Sequence, residues 1–427
     1  MNKKILIGIG FIVAILLGVG AYFYFAKNKV EKMDPNTPSF GTGGTGTTFP
    51  DSNVSGSTYN SDFVPSSTAI FPRLYELRKA PVAGSGFFET GKGSTYTVSV
   101  RSVDRGLGHI FETPLSTYVE ARIVNETRPR ISEAYWGNGG KSVTMRYLDD
   151  PEENSIKTHI INLRGAFSLS TTSSNEFLKT EDVILPDFIP FIAVSEDKAD
   201  KLFYLENNGA SAIGYVTNSK GIRSKVFEST VTEWLPQFPN QKLVTLTTKP
   251  SANVPGYSYF LNTENKNVTK ILSGINGLTT LTSRDGKLIL YSETRDGAPN
   301  LSLYDTVNKI SYPLSIQTLP EKCVWSSKEL FVAYCAVPQG LTRANYPDQW
   351  YQGLVSFSDV LLKIDTRTKV SELVFNPGTL GAPSFDIINL SLSSDDSYLL
   401  FMNKGSGTPW VYRLVEEWQT TTDSTTL

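Results

Sequence analysis

From Leu278 to Leu314 the chain reads LTTLTSRDGKLILYSETRDGAPNLSLYDTVNKISYPL, and three features follow one another in it. A strand of apolar and Ser/Thr residues closes on the turn Ser283-Arg284-Asp285-Gly286. An unbroken apolar run, Leu288 to Tyr291, comes next, and a second, alternating strand ends at Asp305-Thr306. Period-two alternation marks a half-buried strand, and a short continuous apolar run between turn residues fits one buried on both faces. The same order of turn, apolar run and alternating strand recurs on both sides of this stretch.

Two repeated marks set the register. The signature Asn/Asp-Thr-x-x-Lys occurs at Asn262–Lys266, Asp305–Lys309 and Asp365–Lys369, each time after an alternating strand (YSYFL, LSLY, VLLKI) and before another short apolar one. Asn or Asp at that point bonds backbone two residues on and reverses the chain. A second set of turns precedes each strongly apolar run. These are Gly91-Lys92-Gly93, Gly137 to Gly140, Glu196-Asp197-Lys198, Pro239-Asn240-Gln241, Asp285-Gly286, Ser326-Ser327-Lys328 and Ser394-Asp395-Asp396. The two longest intervals hold insertions, at 166–185 and 337–359. A period of ~40–45 residues with about four strands per unit is that of propeller blades rather than of single strands or sandwich domains. One small sheet cannot bury both its faces, whereas a closed ring of sheets can.

The expected fold is therefore all-β: a seven-bladed β-propeller of four-stranded antiparallel blades, over residues 69–418. Residues 73–77 (RLYEL) form a lone strand before it, and the last repeat lacks a fourth strand after residues 410–414. The first strand is expected to supply that fourth one, removing the exposed edge of the terminal blade. The other blades are read as 82–125, 131–165, 191–227, 232–272, 278–314 and 323–375, with 166–181 as a polar excursion between two of them.

Ahead of the ring, residues 1–4 are expected in the cytoplasm. The uncharged run from Ile5 to Phe25 is long enough to cross a bilayer as a helix. It ends in Tyr22-Phe23-Tyr24-Phe25, an interfacial aromatic belt, where a cleaved signal would end in small residues. Residues 26–68, rich in Gly, Thr and Ser, read as a flexible linker. Some 35 such residues would hold a domain on the order of 30–35 Å from the membrane. Residues 419–427 are a polar tail. The expected arrangement is a single-pass cell-membrane protein with its propeller outside the cytoplasm. The whole chain of 427 residues carries 40 Lys and Arg against 42 Asp and Glu, a balance that argues against a nucleic-acid partner.

Little in the sequence points to chemistry. Neither of the two histidines, His109 and His159, has the clustered company of a metal site, and no G-x-S-x-G elbow occurs. Arg105-Gly106-Leu107-Gly108 resembles a phosphate loop but no helix follows it. The acidic run from Asp149 to Asn154 lacks the spacing of a Ca²⁺ loop. Catalytic residues, metal ligands and cofactors are accordingly expected to be none. Cys323 and Cys335 flank one hairpin, a spacing that admits either a cross-strand disulfide or two buried thiols. The loops joining second and third strands are the candidate binding face, with Arg105, His109, Arg295, Arg343, Tyr346, Asp348, Trp350 and Tyr351 as candidates. The longest, PQGLTRANYPDQWYQGLVSFS, is either a binding surface rich in aromatic anchors or a lid on its own blade.

The turn-then-strand segments TSRDGKLILY, AVSEDKADKLFY and LSSDDSYLLF resemble the WD40-like, TolB-type propeller repeat, without its usual proline. The segments GHIFET, EAYWGNGGKSV, TKPSANVPGY, GINGLTTL, LPEKCVW and YPDQWYQGLVSF resemble membrane-anchored propeller proteins of candidate-phyla bacteria, a likeness that brings no activity or ligand with it. The function expected is a protein- or envelope-binding scaffold. The alternative is an enzyme acting on an exported glycan or peptide polymer at the channel mouth. Converging carboxylates there would favour the enzyme, and an aromatic, mixed-charge rim would favour binding.

Overall fold

The chain divides into two units, Met1–Ser66 and Ser67–Leu427. The computed structural model describes residues 72–148, 155–165 and 177–415, all within the second unit. The expected membrane helix, linker and polar tail lie outside the described residues, among which no helix is long and apolar enough to cross a membrane.

Seven separate four-stranded antiparallel sheets follow one another. In blades 1 to 6 the strands are ordered as in the chain. The seventh consists of Ile387–Leu392, Tyr398–Asn403 and Pro409–Arg413, completed by Leu74–Glu76. There Leu74 pairs with Tyr412, Tyr75 with Val411 and Glu76 with Trp410, so the start of the ring is hydrogen-bonded to its end. The second blade differs from the sequence reading. Its fourth strand is Lys179–Ile184, paired with Ile156–Arg164. The polar excursion therefore interrupts a blade instead of separating two; its strand is too polar to be recognised because it is an outer edge strand with exposed side chains.

Burial explains the strand chemistry. Second strands such as Leu288–Arg295 and Tyr398–Asn403 lie between other strands and between blades, and are apolar and buried over most of their length. Fourth strands such as Val370–Phe375 are largely exposed.

The turns repeat one chemistry. Between first and second strands a Ser-x-Asp triplet closes the hairpin in blades 3, 5 and 7. Ser195, Ser283 and Ser393 donate to Asp197, Asp285 and Asp395 at 2.6, 2.8 and 2.6 Å, and each carboxylate also accepts a backbone N–H two residues on, at 3.1 Å. In blade 6 the corresponding turn has Lys328 where the acid would stand, and Ser326 donates instead to Asp396 of blade 7. The Asn/Asp-Thr-x-x-Lys signature closes third-to-fourth hairpins in blades 4, 5 and 6. Asn262, Asp305 and Asp365 each accept two backbone N–H groups, and Lys266, Lys309 and Lys369 take the left-handed conformation at φ 62°, 58° and 64°. These bonds hold the Asp305 and Asp365 carboxyls below the usual range.

Cys323 and Cys335, register partners on the first two strands of blade 6, are bonded, with their Cα atoms 4.0 Å apart.

Candidate functional site

The first strands line a central cavity of about 520 Å³, open towards the turns between first and second strands. Trp136 and Trp325 form part of its wall, each indole fixed by an N–H bond to a neighbouring blade's carbonyl, Gly84 and Leu281 respectively. Its charged groups are Glu133, Glu196, Lys198 and Arg284. Two of these occupy the middle position of the Ser-x-Asp turns: the outer residues of the triplet close the hairpin, and the middle one is left to face the mouth. The third such residue, Ser394, joins Glu89 in receiving the Lys198 ammonium, so a side chain of blade 3 reaches blades 1 and 7.

The Glu196 side chain reaches solvent, but protein surrounds the mouth, and this confinement pushes its carboxyl up to about 7 against the pull of Arg284. Glu133 is held by Arg146 at 2.5 Å and accepts the Tyr135 hydroxyl at 2.9 Å. Of the two carboxylates in the cavity, Glu133 is thus paired with an arginine, while Glu196 only feels the charge of Arg284. Among the described residues no group of three or more His, Cys, Asp or Glu side chains is placed to hold a metal ion.

The opposite end is occupied by the insertion 339–358, which reaches beyond its own blade. Asp348 accepts the N–H of Ala252 in blade 4 at 2.7 Å, and Thr294 of blade 5 donates to the Tyr346 carbonyl at 2.5 Å. Tyr351 donates to Glu321 at the start of blade 6. In blade 7 Lys404 donates to the Trp350 carbonyl, and its ammonium lies 4.1 Å from the centre of that indole. The insertion ends on Lys322, whose side chain is wholly buried between Asp359, at 2.8 Å, and Asp386, at 2.7 Å. Asp386 also accepts the Trp350 indole N–H at 3.0 Å, and Lys322 lies 5.2 Å from that ring and 4.9 Å from Phe357. Burial, opposed by Lys322 and reinforced by the nearby Asp386, raises the Asp359 carboxyl to about 6.

Neither a protein-family model nor a curated protein sequence matches the chain. Solved structures do resemble it. An oligogalacturonate lyase in complex with manganese is 11% identical, with 79% of this chain and 99% of that one covered at a TM-score of 0.50. The oligogalacturonate lyase of Vibrio parahaemolyticus is 10% identical over 80% and 94%, at 0.52. TolB from Acinetobacter baumannii is 14% identical over 77% and 79%, at 0.41. At these identities the likeness is one of fold, and it is the seven four-stranded sheets of this chain that decide the architecture. The chain is a seven-bladed β-propeller.

On this propeller the candidate residues fall into separate places. Arg105 and His109 belong to blade 1: Arg105 donates to the Ser132 carbonyl at 3.1 Å, and His109 meets Thr127 at 3.0 Å. Burial and the charge of Arg122 lower the His109 pKa. The other six belong to blades 5 and 6. Tyr346 and Trp350, expected on a binding surface, are instead 1% and 4% exposed, in a core with Leu319 and Phe357. The aromatic content of the loop serves to seat it. Asp348 is spent on Ala252, Tyr351 on Glu321, and only Arg295 and Arg343 share an open pocket. The sequence reading put the channel mouth at the second-to-third-strand loops, whereas the open cavity faces the turns between first and second strands, whose charged middle residues were its visible trace.

The carboxyls give a pH dependence. Hydrogen bonds hold Asp197, Asp285, Asp305, Asp365 and Asp395 below the usual range, so their stabilising contribution is present above the unfolded pKa and disappears as pH falls through the folded values. Glu196 and Asp359 are shifted upwards, so their contribution is complete below the unfolded value and lost as pH rises through about 6 to 7. Melting temperature is expected to peak near about pH 5, falling on both sides. Glu196→Gln should flatten the neutral-side fall; a melting temperature that climbs steadily from pH 5 to about pH 8 would contradict this.

Proposed function

We propose that this propeller is a membrane-tethered, extracytoplasmic binding module that holds a protein or envelope component at the mouth formed by the first-to-second-strand turns. The carrying observation is the asymmetry of the ring. One end is filled by an insertion bonded to four blades, and the other opens on a cavity with two indoles and both signs of charge. An aromatic, mixed-charge recess suits recognition, with apolar rings supplying area and charged groups fixing orientation. The tether and the side of the membrane rest on the sequence from Ile5 to Phe25 and on the linker after it.

The enzyme reading, action on an exported glycan or peptide polymer, draws support from the lyase likeness at the level of fold. It would need Glu133 to be released from Arg146, or Glu196 to act alone beside Arg284.

Two measurements test the proposal. Protease added to intact cells should remove a C-terminal epitope tag, and protection of the tag would place the propeller inside. Chemical cross-linking of the full chain in its native membrane should then recover an envelope component that is lost with the double variant Glu196→Arg/Arg284→Glu. Recovery of the same component at the same yield from both proteins would remove the cavity mouth from the account. Turnover of a polymer by the purified full chain, abolished by Glu196→Gln, would replace it with the enzyme.

A further inference from the structure

We propose a second binding site, separate from the central cavity, for a singly charged, hydroxyl-rich unit of an acidic glycan, in the groove between blades 5 and 6. The groove is made where the insertion docks on the second-to-third turn of blade 5. Gly297, left-handed at φ 72°, accepts the Ala344 N–H at 3.0 Å, and a Cβ on it would lie 3.1 Å from that of Arg343. The close approach brings Arg343 of the insertion and Arg295 of blade 5 into one pocket of about 410 Å³. A neighbouring hollow of about 640 Å³, with Ser302, Ser315 and Ser371 on its wall, shares Arg295, Asn300, Gln317 and Leu341 with it.

The two arginines differ in state. Arg295 is paired with Glu293, whereas no carboxylate among the described residues pairs with Arg343. An exposed guanidinium at the wall of a hollow has its fork of donors available for a planar carboxylate. Around it stand groups that read hydroxyls. Asn300 is oriented by donating to the Ala298 carbonyl at 3.1 Å, Gln317 reaches the Asn300 carboxamide oxygen at 3.4 Å, and Asp296 lines the pocket as an acceptor. The part shared by the two hollows is polar apart from Leu341, which offers little to the apolar side chains of a peptide. The acidic groups set an upper limit on ligand charge: Glu293 and Asp296 would repel a dense polyanion but tolerate one carboxylate per sugar unit.

The test uses the full chain in detergent micelles and isothermal titration with three probes: a hyaluronan tetrasaccharide, neutral cellotetraose and tetraglutamate. The hyaluronan fragment is expected to bind about tenfold or more tighter than cellotetraose, the loss that follows from one charge-assisted hydrogen-bonded pair. Arg343→Ala should lose about the same factor and Arg343→Lys part of it, since an ammonium lacks the fork. Arg343→Glu should abolish binding. Each variant should melt with the parent, because Arg343 is exposed; if Arg343→Ala does not, the charge-preserving Arg343→Lys carries the comparison. Arg284→Glu, at the central mouth, should leave hyaluronan affinity unchanged, so this site can fail while the central one stands. The proposal is overturned by no detectable hyaluronan binding, by equal affinity for cellotetraose, by tighter binding of tetraglutamate, or by loss on Arg284→Glu with Arg343→Ala intact.

Discussion

Lys322→Met is expected to destabilise the full chain by about 3–5 kcal/mol, the cost of removing one member of a buried ion pair and leaving its partner charged in the interior. The ammonium has no solvent exposure and answers three acceptors: Asp359, Asp386 and the Ile387 carbonyl at 2.8 Å. Methionine matches its length and apolar stem, so the loss isolates the charge. Two carboxylates would then face one another among Trp350 and Phe357, and one of them would have to take a proton at neutral pH. Because both acids also fix the insertion and the start of blade 7, the seal on that end should loosen with them. Chymotrypsin should cut at 346–357 faster in the variant, and urea unfolding should shift to lower concentration. Asp386→Asn, which keeps an acceptor for the indole and leaves Lys322 paired one-to-one with Asp359, should cost less. A Lys322→Met protein within about 1 kcal/mol of the parent would show that the cluster does not hold the insertion.

Gly84→Ala should cost about 1–3 kcal/mol or more, although it adds a single methyl. Gly84 lies on the innermost strand of blade 1, where a Cβ would stand 2.0 Å from the carbonyl oxygen of Ala134 on the innermost strand of blade 2. That oxygen is backbone and cannot rotate away, so the two blades must separate. Gly86 repeats the contact against Trp136, at 2.7 Å from its Cβ. Near the axis of the ring the sheets converge, and glycine lets this pair of strands approach. Gly405→Ala serves as the contrast, since the nearest neighbour of its added Cβ is the Asn403 carboxamide oxygen at 3.8 Å. With room available, replacing glycine by alanine stabilises slightly through the unfolded chain. Melting curves of the two variants should therefore move in opposite directions, and a Gly84→Ala protein that melts with the parent would disprove the close approach.

The candidate site was only partly visible beforehand. The insertion stood out for its length and aromatic residues, and both readings of it were open. Whether Trp350 faces water or a buried lysine depends on Lys322 and Asp386, which lie 28 residues before it and 36 after it. Neither residue is marked by its neighbours in the chain: Lys322 follows a glutamate in LPEKCVW, like any solvated lysine. Arg295 and Arg343 were legible as exposed loop cations, but their meeting in one pocket is a consequence of the docked insertion. The edge strand Lys179–Ile184 was missed because period-two patterning carries information only where one face is buried.

The order of residues alone determined the number of blades, the turns that close their hairpins and the strand from the beginning of the ring that completes its last sheet. All three depend on contacts within a hairpin or on the apolar periodicity of a strand, which are local and repeat with the chain. Tertiary structure decided which mouth is open, which aromatics are buried and which charges meet. Those outcomes depend on side chains from blades 1, 3 and 7 at one end and from blades 4 to 7 at the other. Their distances are set by closure of the ring, and sequence spacing carries no record of them.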